Sequence, residues 1–394
     1  MRSILIFGAG DNQLNLIKEA KKLAYKTIVI DPNSDAIAKN IADVFELVPP
    51  KDYELTKQIA QKHKVEGIVT CQMENPLLLM AKLAEDMGFN FPTVSAIEKA
   101  RNKFQMKEAF LEANVPCAKG FLIASADEIK ESEIRFPAII KPVDAFSSRG
   151  VYKLNQFSEI AQYFPLSSAF SSNNKAIVEE FIEGPEYSVE SITNKGETFI
   201  IQITEKEITP FPNTVELAHI QPALLSDNEK LQIETIVKNA ISALGIDNCA
   251  SHAELKLTSQ GAKMIEIGAR LGGDYITSHL VPLSTGLSIE QLSIQIAMND
   301  FQAISEAKDK ASVIRYLDLP PNRLVENVND WEELRNKEDI EHLGLAIKKG
   351  DVTQSITDSA KRAGFVIVKG ENRKEALLNA KKYIKELESY IKLK

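Results

Sequence analysis

Two glutamates set into apolar runs are the first residues in this chain that could do chemistry. They lie in His252-Ala253-Glu254-Leu255-Lys256-Leu257 and in Met264-Ile265-Glu266-Ile267-Gly268-Ala269-Arg270, joined by Thr258–Gly261. With the turn centred on Gln260, a hairpin sets Glu254 directly opposite Glu266. Opposed Cβ atoms lie about 4.5–5.5 Å apart, where like charges destabilise unless a cation sits between them. Oxygen-only ligation beside phosphates suits Mg²⁺, with Mn²⁺ as the alternative. Arg270 follows where the strand gives way to Gly272-Gly273, placed to reach an anion held by that metal. A solvated hairpin face with a surface Arg–Glu pair is the plainer alternative. The nearby glycines, which allow close approach of a ligand, speak against it.

Lys141 closes the apolar run Phe136–Ile140, so its ammonium emerges at the end of a buried strand. The polar loop after it contains Ser147, Ser148 and Gly150, able to wrap phosphates with hydroxyls and backbone N–H groups. Lys103 opens the preceding helix. The pattern GxxxxGK[ST] is absent, which excludes a P-loop. Farther on, the run Ala176–Val178 leads into Glu179-Glu180-Phe181-Ile182, whose backbone could meet an adenine edge, and Glu186 is a candidate for ribose hydroxyls. Exposed lysines and a solvated acidic edge strand are the alternatives. Gly8-Ala9-Gly10 followed by Asp31 is half of a dinucleotide fingerprint. Gln13 replaces the third glycine, so a nicotinamide dehydrogenase becomes a weaker reading than a turn lining some other ligand site.

The elements that must position these residues begin with alternating strands and helices. Ser3–Phe7, Thr27–Ile30 and Gly67–Thr70 read as strands, and Leu55–His63, Pro76–Met87 and Asn102–Ala113 as helices, implying a parallel doubly wound sheet. Short strands follow at 137–141, 150–154 and 176–180. Hairpins are expected around Asn194-Lys195-Gly196 and Thr258–Gly261, with a helix over Asn228–Leu244 ended by Gly245. The last eighty or so residues read as a separate lobe. Its strands lie near 312–317, 346–347 and 365–368, and its closing helix carries Leu377, Ala380, Ile384, Leu387 and Ile391 on one face. Breaks fall near residues 98 and 308.

The chain has 394 residues, 44% hydrophobic and 26% charged, which fits a soluble multidomain protein and excludes disorder. A net charge of -8 opposes nucleic acid and anionic membranes as partners. Cys71, Cys117 and Cys249 lack CxxC spacing, so neither a disulfide framework nor a zinc site is expected. The opening MRSILIFGAG reads as strand and turn rather than a signal peptide, and a cytoplasmic location is expected.

Taken in order, Lys103, Lys141, Ser147–Gly150, Glu179–Ile182 with Glu186, Glu254 with Glu266, and Arg270 resemble the ATP-grasp superfamily over most of the chain. The resemblance implies a mixed α/β and α+β architecture. Residues 1–98 would be a Rossmann-like pre-ATP-grasp domain, 99–307 the ATP-grasp domain with a small lobe at about 115–185, and 308–394 a small C-terminal α+β lobe. The tail from Gly350 to Gly370 is similar to the C-terminal lobe of biotin-carboxylase-like members. Glu216-Leu217-Ala218-His219 resembles the substrate loop of L-amino-acid ligases, where such a glutamate and histidine line the amino-acid pocket. One departure stands out: Gly268 occupies the place of the family's asparagine metal ligand, leaving water or a single dominant metal site.

The implied activity is ATP-dependent ligation of a carboxylate to an amine through an acylphosphate, on an amino acid or similar small acid. ATP and Mg²⁺ would lie between Lys103, Lys141, the loop Ser147–Gly150, the hinge Glu179–Ile182 and the two glutamates. Arg270, Glu216 and His219 would be catalytic, and Gln72 and Glu74 would bear on substrate choice. Purine-pathway, carbamoyl-phosphate or biotin-carboxylase-like enzymes using bicarbonate or formate remain alternatives, as does a non-catalytic ATP-binding protein. The expected partners are small molecules, with a homodimer left open.

Overall fold

The computed structural model describes residues 1–394 apart from Ser147, Ser148 and Pro212. The first βα alternation builds a four-stranded parallel sheet in the spatial order Val44–Leu47, Lys26–Asp31, Ser3–Phe7, Val65–Thr70. Ser3–Phe7 pairs on both sides and is buried throughout, which is why it reads as an unbroken apolar run. At its end Gly8 takes φ +95, and a Cβ there would lie 2.5 Å from Met73 Sδ. Asp31 accepts from the Ala9 N–H at 2.8 Å, and the Gln13 amide donates to the Cys71 carbonyl at 2.7 Å. Both side chains are thus engaged in the turn itself. Together they pin the end of strand Val65–Thr70 beside it, and a parallel bridge pairs Cys71 with Leu271.

Antiparallel strands Gly120–Ile123, Ala176–Glu180, Ala138–Pro142 and Tyr152–Leu154 form a small sheet in that order, backed by helix Glu159–Ser168. Its core is a separate cluster that includes Ile123, Ile140, Leu154, Ile160 and Val178.

The rest of the chain is organised on one eight-stranded sheet. Its order is Gly261–Gly268, Cys249–Thr258, Glu186–Asn194, Glu197–Ile208, Glu216–Gln221, Ala311–Tyr316, Gly364–Gly370, Ile340–Leu345. Strand Ala311–Tyr316 pairs with Glu216–Gln221, so the C-terminal residues extend this sheet and add the layer of helix Arg373–Ser389. Local rules set several boundaries. Lys195 and Gly196 both have positive φ, as a two-residue hairpin turn demands. Ser226 and Glu229 cap helix Asp227–Leu244, and Gly245 ends it at φ +70. That helix buries Ile233, Val237, Ile241 and Leu244, each at most 1% exposed, in one cluster with Met264 and Ile267 of the glutamate hairpin. Each such side chain contributes about 1.5–3 kcal/mol. No helix among the described residues is long and apolar enough to cross a membrane.

Three local expectations are corrected. The expected substrate loop is a strand, Glu216–Gln221, because it is sandwiched in the large sheet. The strand expected at 346–347 lies earlier, at Ile340–Leu345. Ile391 leaves the closing helix for a short strand; Ala380 and Leu387 are buried on the expected face, joined by Ala376 and Tyr383, with Leu377 and Ile384 packed half-buried against the same cluster.

Candidate active site

The glutamate hairpin turns at Ser259-Gln260, one half-step from the expected centre, and Leu255 pairs with Met264. Continued unbroken, that register would oppose Glu254 to Ile265 and turn Glu266 to the other face. A bulge at Ile265 absorbs one residue, so Glu254 does stand opposite Glu266. Period-2 alternation then extends one polar face across three more strands: His252 pairs with Glu190, Glu254 with Ser188, Lys256 with Glu186, and Lys206 with both Glu186 and His219. The intervening Ala253, Leu255, Tyr187 and Val189 face the core.

Buried cations balance this acidic face. Lys206, with a side chain 2% exposed, lies 2.6 Å from Glu254, 3.0 Å from Glu186 and 3.5 Å from Glu216. Burial would lower its pKa, but these three carboxylates raise it well above the ordinary lysine range. Lys103 reaches Glu266 at 2.9 Å and donates to the Ala145 carbonyl at 2.8 Å. Lys141 and Lys107 grip the two oxygens of buried Glu179 at 2.6 and 2.9 Å. Against the penalty of burial, Lys206 and His252 hold Glu254 well below the usual carboxylate range, and Lys103 lowers Glu266 despite the neighbouring Glu254. His252 donates through Nδ1 to Glu190 at 2.5 Å, and the nearby carboxylates overcome burial to push it up to about 9.

Two joined spaces adjoin this face. The hinge pocket, about 140 Å³, is lined by Lys141, Glu179, Glu180, Phe181, Ile182 and Glu186. The Glu180 and Phe181 N–H groups donate to the Lys119 and Pro137 carbonyls, which fixes the hinge along the wall. Phe181 meets Phe211 edge to face at 5.4 Å. The larger cavity, about 480 Å³, is lined by Glu216, His219, Arg270, Gln72, Glu74 and Asp274. Lys103, Arg149, Glu254 and Glu266 line both spaces. Gly150 turns the overlying loop at φ +73, and a Cβ there would lie 2.8 Å from Phe170 and 2.9 Å from Pro142. Ser147 and Ser148 lie outside the described residues.

On the far side, buried His219 pairs through Nε2 with Asp274 at 3.1 Å. Asp274 also accepts two bonds from Arg362 at 2.6 and 2.7 Å, joining the cavity wall to the C-terminal layer. Arg270 donates through Nε to Glu74 at 2.7 Å. The structure thus brings Lys103, Lys141, Glu179–Ile182, Glu186, Glu216, His219, Glu254, Glu266, Arg270, Gln72 and Glu74 around two connected spaces, whereas Gly150 lines neither, and nor do Gly8, Gly10, Gln13 and Asp31. Lys206, Lys107, Glu190, Asp274 and Arg362 were missed. The alternations Glu186-Ser188-Glu190 and His252-Glu254-Lys256 carried a signal for the shared polar face, whereas Lys206 lay beyond the end expected for its strand.

The donor set fits a hard divalent cation: two ionised carboxylates face each other, and ammonium groups, not hydrophobic side chains, neutralise them. Among the described residues no group of three or more His, Cys, Asp and Glu side chains could hold a metal, so further ligands would have to be water or substrate oxygens.

Comparison with known proteins agrees with this geometry. Residues 134–278 match the family model described as ATP-grasp domain, and residues 319–392 match L-amino acid ligase C-terminal domain 2. An alanine–anticapsin ligase of Bacillus subtilis (strain 168) is 30% identical, over 62% of this chain and 57% of its own length. The chain therefore spans little more than half the length of such curated relatives. The crystal structure of an L-amino acid ligase from Bacillus licheniformis superposes with a TM-score of 0.83 at 20% identity, covering 100% of this chain and 98% of the other. A phosphoribosylglycinamide synthetase from Anaerococcus prevotii gives 0.76 at 24%, covering 100% and 99%. Both likenesses are of fold. With the opposed glutamates and the hinge on one continuous architecture, this chain has the ATP-grasp fold, with residues 134–278 matching an ATP-grasp domain and residues 319–392 matching an L-amino acid ligase C-terminal domain.

Proposed function

We propose that the protein is an ATP-dependent ligase joining the carboxylate of an amino acid or similar small acid to an amine, with release of ADP and phosphate. The observation that carries this reading is the junction of the two spaces. Glu254, Glu266 and Lys103 stand between the hinge pocket and a larger cavity whose polar wall holds Arg270, Glu216 and His219. The name of the alanine–anticapsin ligase relative supports amide formation.

In this reading the adenine lies against Glu180–Ile182 and Glu186 binds the ribose. Lys103 and Lys141 neutralise the phosphates, each already poised beside the carboxylate it would exchange for them. Glu254 and Glu266 would hold Mg²⁺, which supplies charge neutralisation for phosphoryl transfer. The acid's carboxylate oxygen attacks the γ-phosphorus in line, the bond to the β,γ-bridging oxygen breaks, and ADP leaves. The amine then attacks the acylphosphate carbonyl, loses a proton, and phosphate departs with the C–O bonding pair. Arg270 steadies the oxyanion of that second step, an interaction whose loss typically costs about 10²–10³ in rate. Glu216 and His219 orient the amino-acid groups, and Glu216, the weakest of the Lys206 partners at 3.5 Å, is the carboxylate most available to an ammonium.

ADP release from MgATP tests the proposal, measured with pooled amino acids, with bicarbonate, with formate and with buffer alone. Turnover that requires amino acids, with an amide product identified by mass spectrometry, is expected. Turnover with bicarbonate or formate instead would move the protein to the carboxylase or formyl-transfer branch and refute the reading.

A further inference from the structure

The position that lacks the family's metal-ligating asparagine has a specific neighbour. A Cβ built on Gly268 would lie 2.9 Å from Glu74 Oε1 and 3.5 Å from the Arg270 Cγ and Cζ atoms. The space a side chain at 268 would fill is therefore taken by a carboxylate from the N-terminal domain. Glu74 arrives there because the Gly8–Gln13 turn holds the Cys71 carbonyl, Cys71 bridges to Leu271, and Gln72 turns the chain at φ +61. Its side chain is 9% exposed, and Oε1 accepts from Arg270 Nε at 2.7 Å. Arg270 Nη1 donates to the Leu271 carbonyl at 2.9 Å. Two edges of the guanidinium are thus fixed by protein, and Nη2 has no partner among the described residues. Arg270 itself lines the larger cavity.

We propose that Glu74 is the positioning residue for Arg270, and that glycine at 268 is what admits it. Resting on the ligase reading above, this makes the arginine's aim a joint product of two domains. The N-terminal sheet does more than wall the cavity: it sets the angle at which the guanidinium meets the reacting carboxylate. A carboxylate suits the task because a charge-assisted bond to Nε fixes the plane of the guanidinium and leaves its far edge free. Glu74 is not a third metal ligand in this arrangement, since no group of three or more candidate ligands forms among the described residues.

Steady-state kinetics and thermal unfolding test it together. Glu74→Ala should lower kcat about 10–100-fold, the scale for a reacting group displaced by an ångström, while the KM for ATP stays within about twofold. Glu74→Gln, whose amide oxygen still accepts from Nε, should recover most of kcat. Gly268→Ala should lower kcat in the wild-type background and add almost nothing to Glu74→Ala, because the smaller residue vacates the contested space. In thermal unfolding, Glu74→Ala and Arg270→Ala together should cost less than the sum of the two. Wild-type kcat in Glu74→Ala, or strictly additive kinetic costs at 74 and 268, would overturn the positioning role. If the wild type turned over with no amino acid, the ligase reading alone would fail. The thermal pairing of 74 with 270 needs no turnover, and additivity there would overturn the positioning whatever the substrate.

Discussion

Glu290, on the first turn of helix Ile289–Ala297, should make the protein less stable in mild alkali. Its side chain is fully buried, bonded by the Asn15 amide, with Cys71 Sγ 3.7 Å away and Glu19 nearby. Burial first, and then the Glu19 charge, raise its carboxyl from 4.5 to about 7 against the opposing Asn15 bond. Between those values the folded chain holds a proton that the unfolded chain has lost. The associated stability is therefore complete below the unfolded value and is lost as pH rises through about 7. A gap of about 2.5 pH units, at about 1.4 kcal/mol each, comes to about 3–4 kcal/mol in mild alkali. With an unfolding entropy of about 2 cal/mol/K per residue, 394 residues melting together would shift by about 4 °C. Glu290→Gln keeps the amide contact and has no proton to lose. Thermal melts by circular dichroism at about pH 4 and pH 8.5 should show the variant equal to wild type in acid and about 4 °C higher in alkali, on the same arithmetic. Comparing the two proteins at each pH cancels every other titrating group. Parallel pH profiles would refute the reasoning.

Other perturbations test the site directly. Glu266→Ala should abolish ADP formation, and Arg270→Ala should slow steady-state turnover about 10²–10³-fold with ATP affinity nearly unchanged; normal turnover in the first would sink the metal assignment. Lys206→Met leaves Glu254, Glu186 and Glu216 without their shared cation, so unfolding in denaturant should show a loss of about 3–5 kcal/mol, and an unchanged midpoint would contradict the network. Gly150→Ala forces a Cβ against Phe170 and Pro142 at positive φ, so the KM for ATP should rise while the melting temperature moves little; an unaltered KM would mean that the loop's turn does not bear on nucleotide binding.

What the sequence determined by itself was the local and the periodic. Gly245 ending its helix, the turn at Lys195-Gly196, and the buried run Ser3–Phe7 follow from backbone sterics and burial within a few residues, and all appear where expected. Lys141, the hinge and the paired glutamates were legible because each sits within or at the end of an apolar run. Tertiary structure decided the rest. The bulge at Ile265 keeps Glu266 on the face of Glu254, and such a one-residue slip leaves no mark in composition or period. Lys206 acquires three carboxylates from three different strands only once the strand order of the large sheet is set. Glu74 and Arg270, 196 positions apart, meet because two domains dock through Cys71 and Leu271. Periodicity says which way a side chain points from its own strand, whereas the partner it meets depends on register and docking, which are set by packing among segments far apart in the chain.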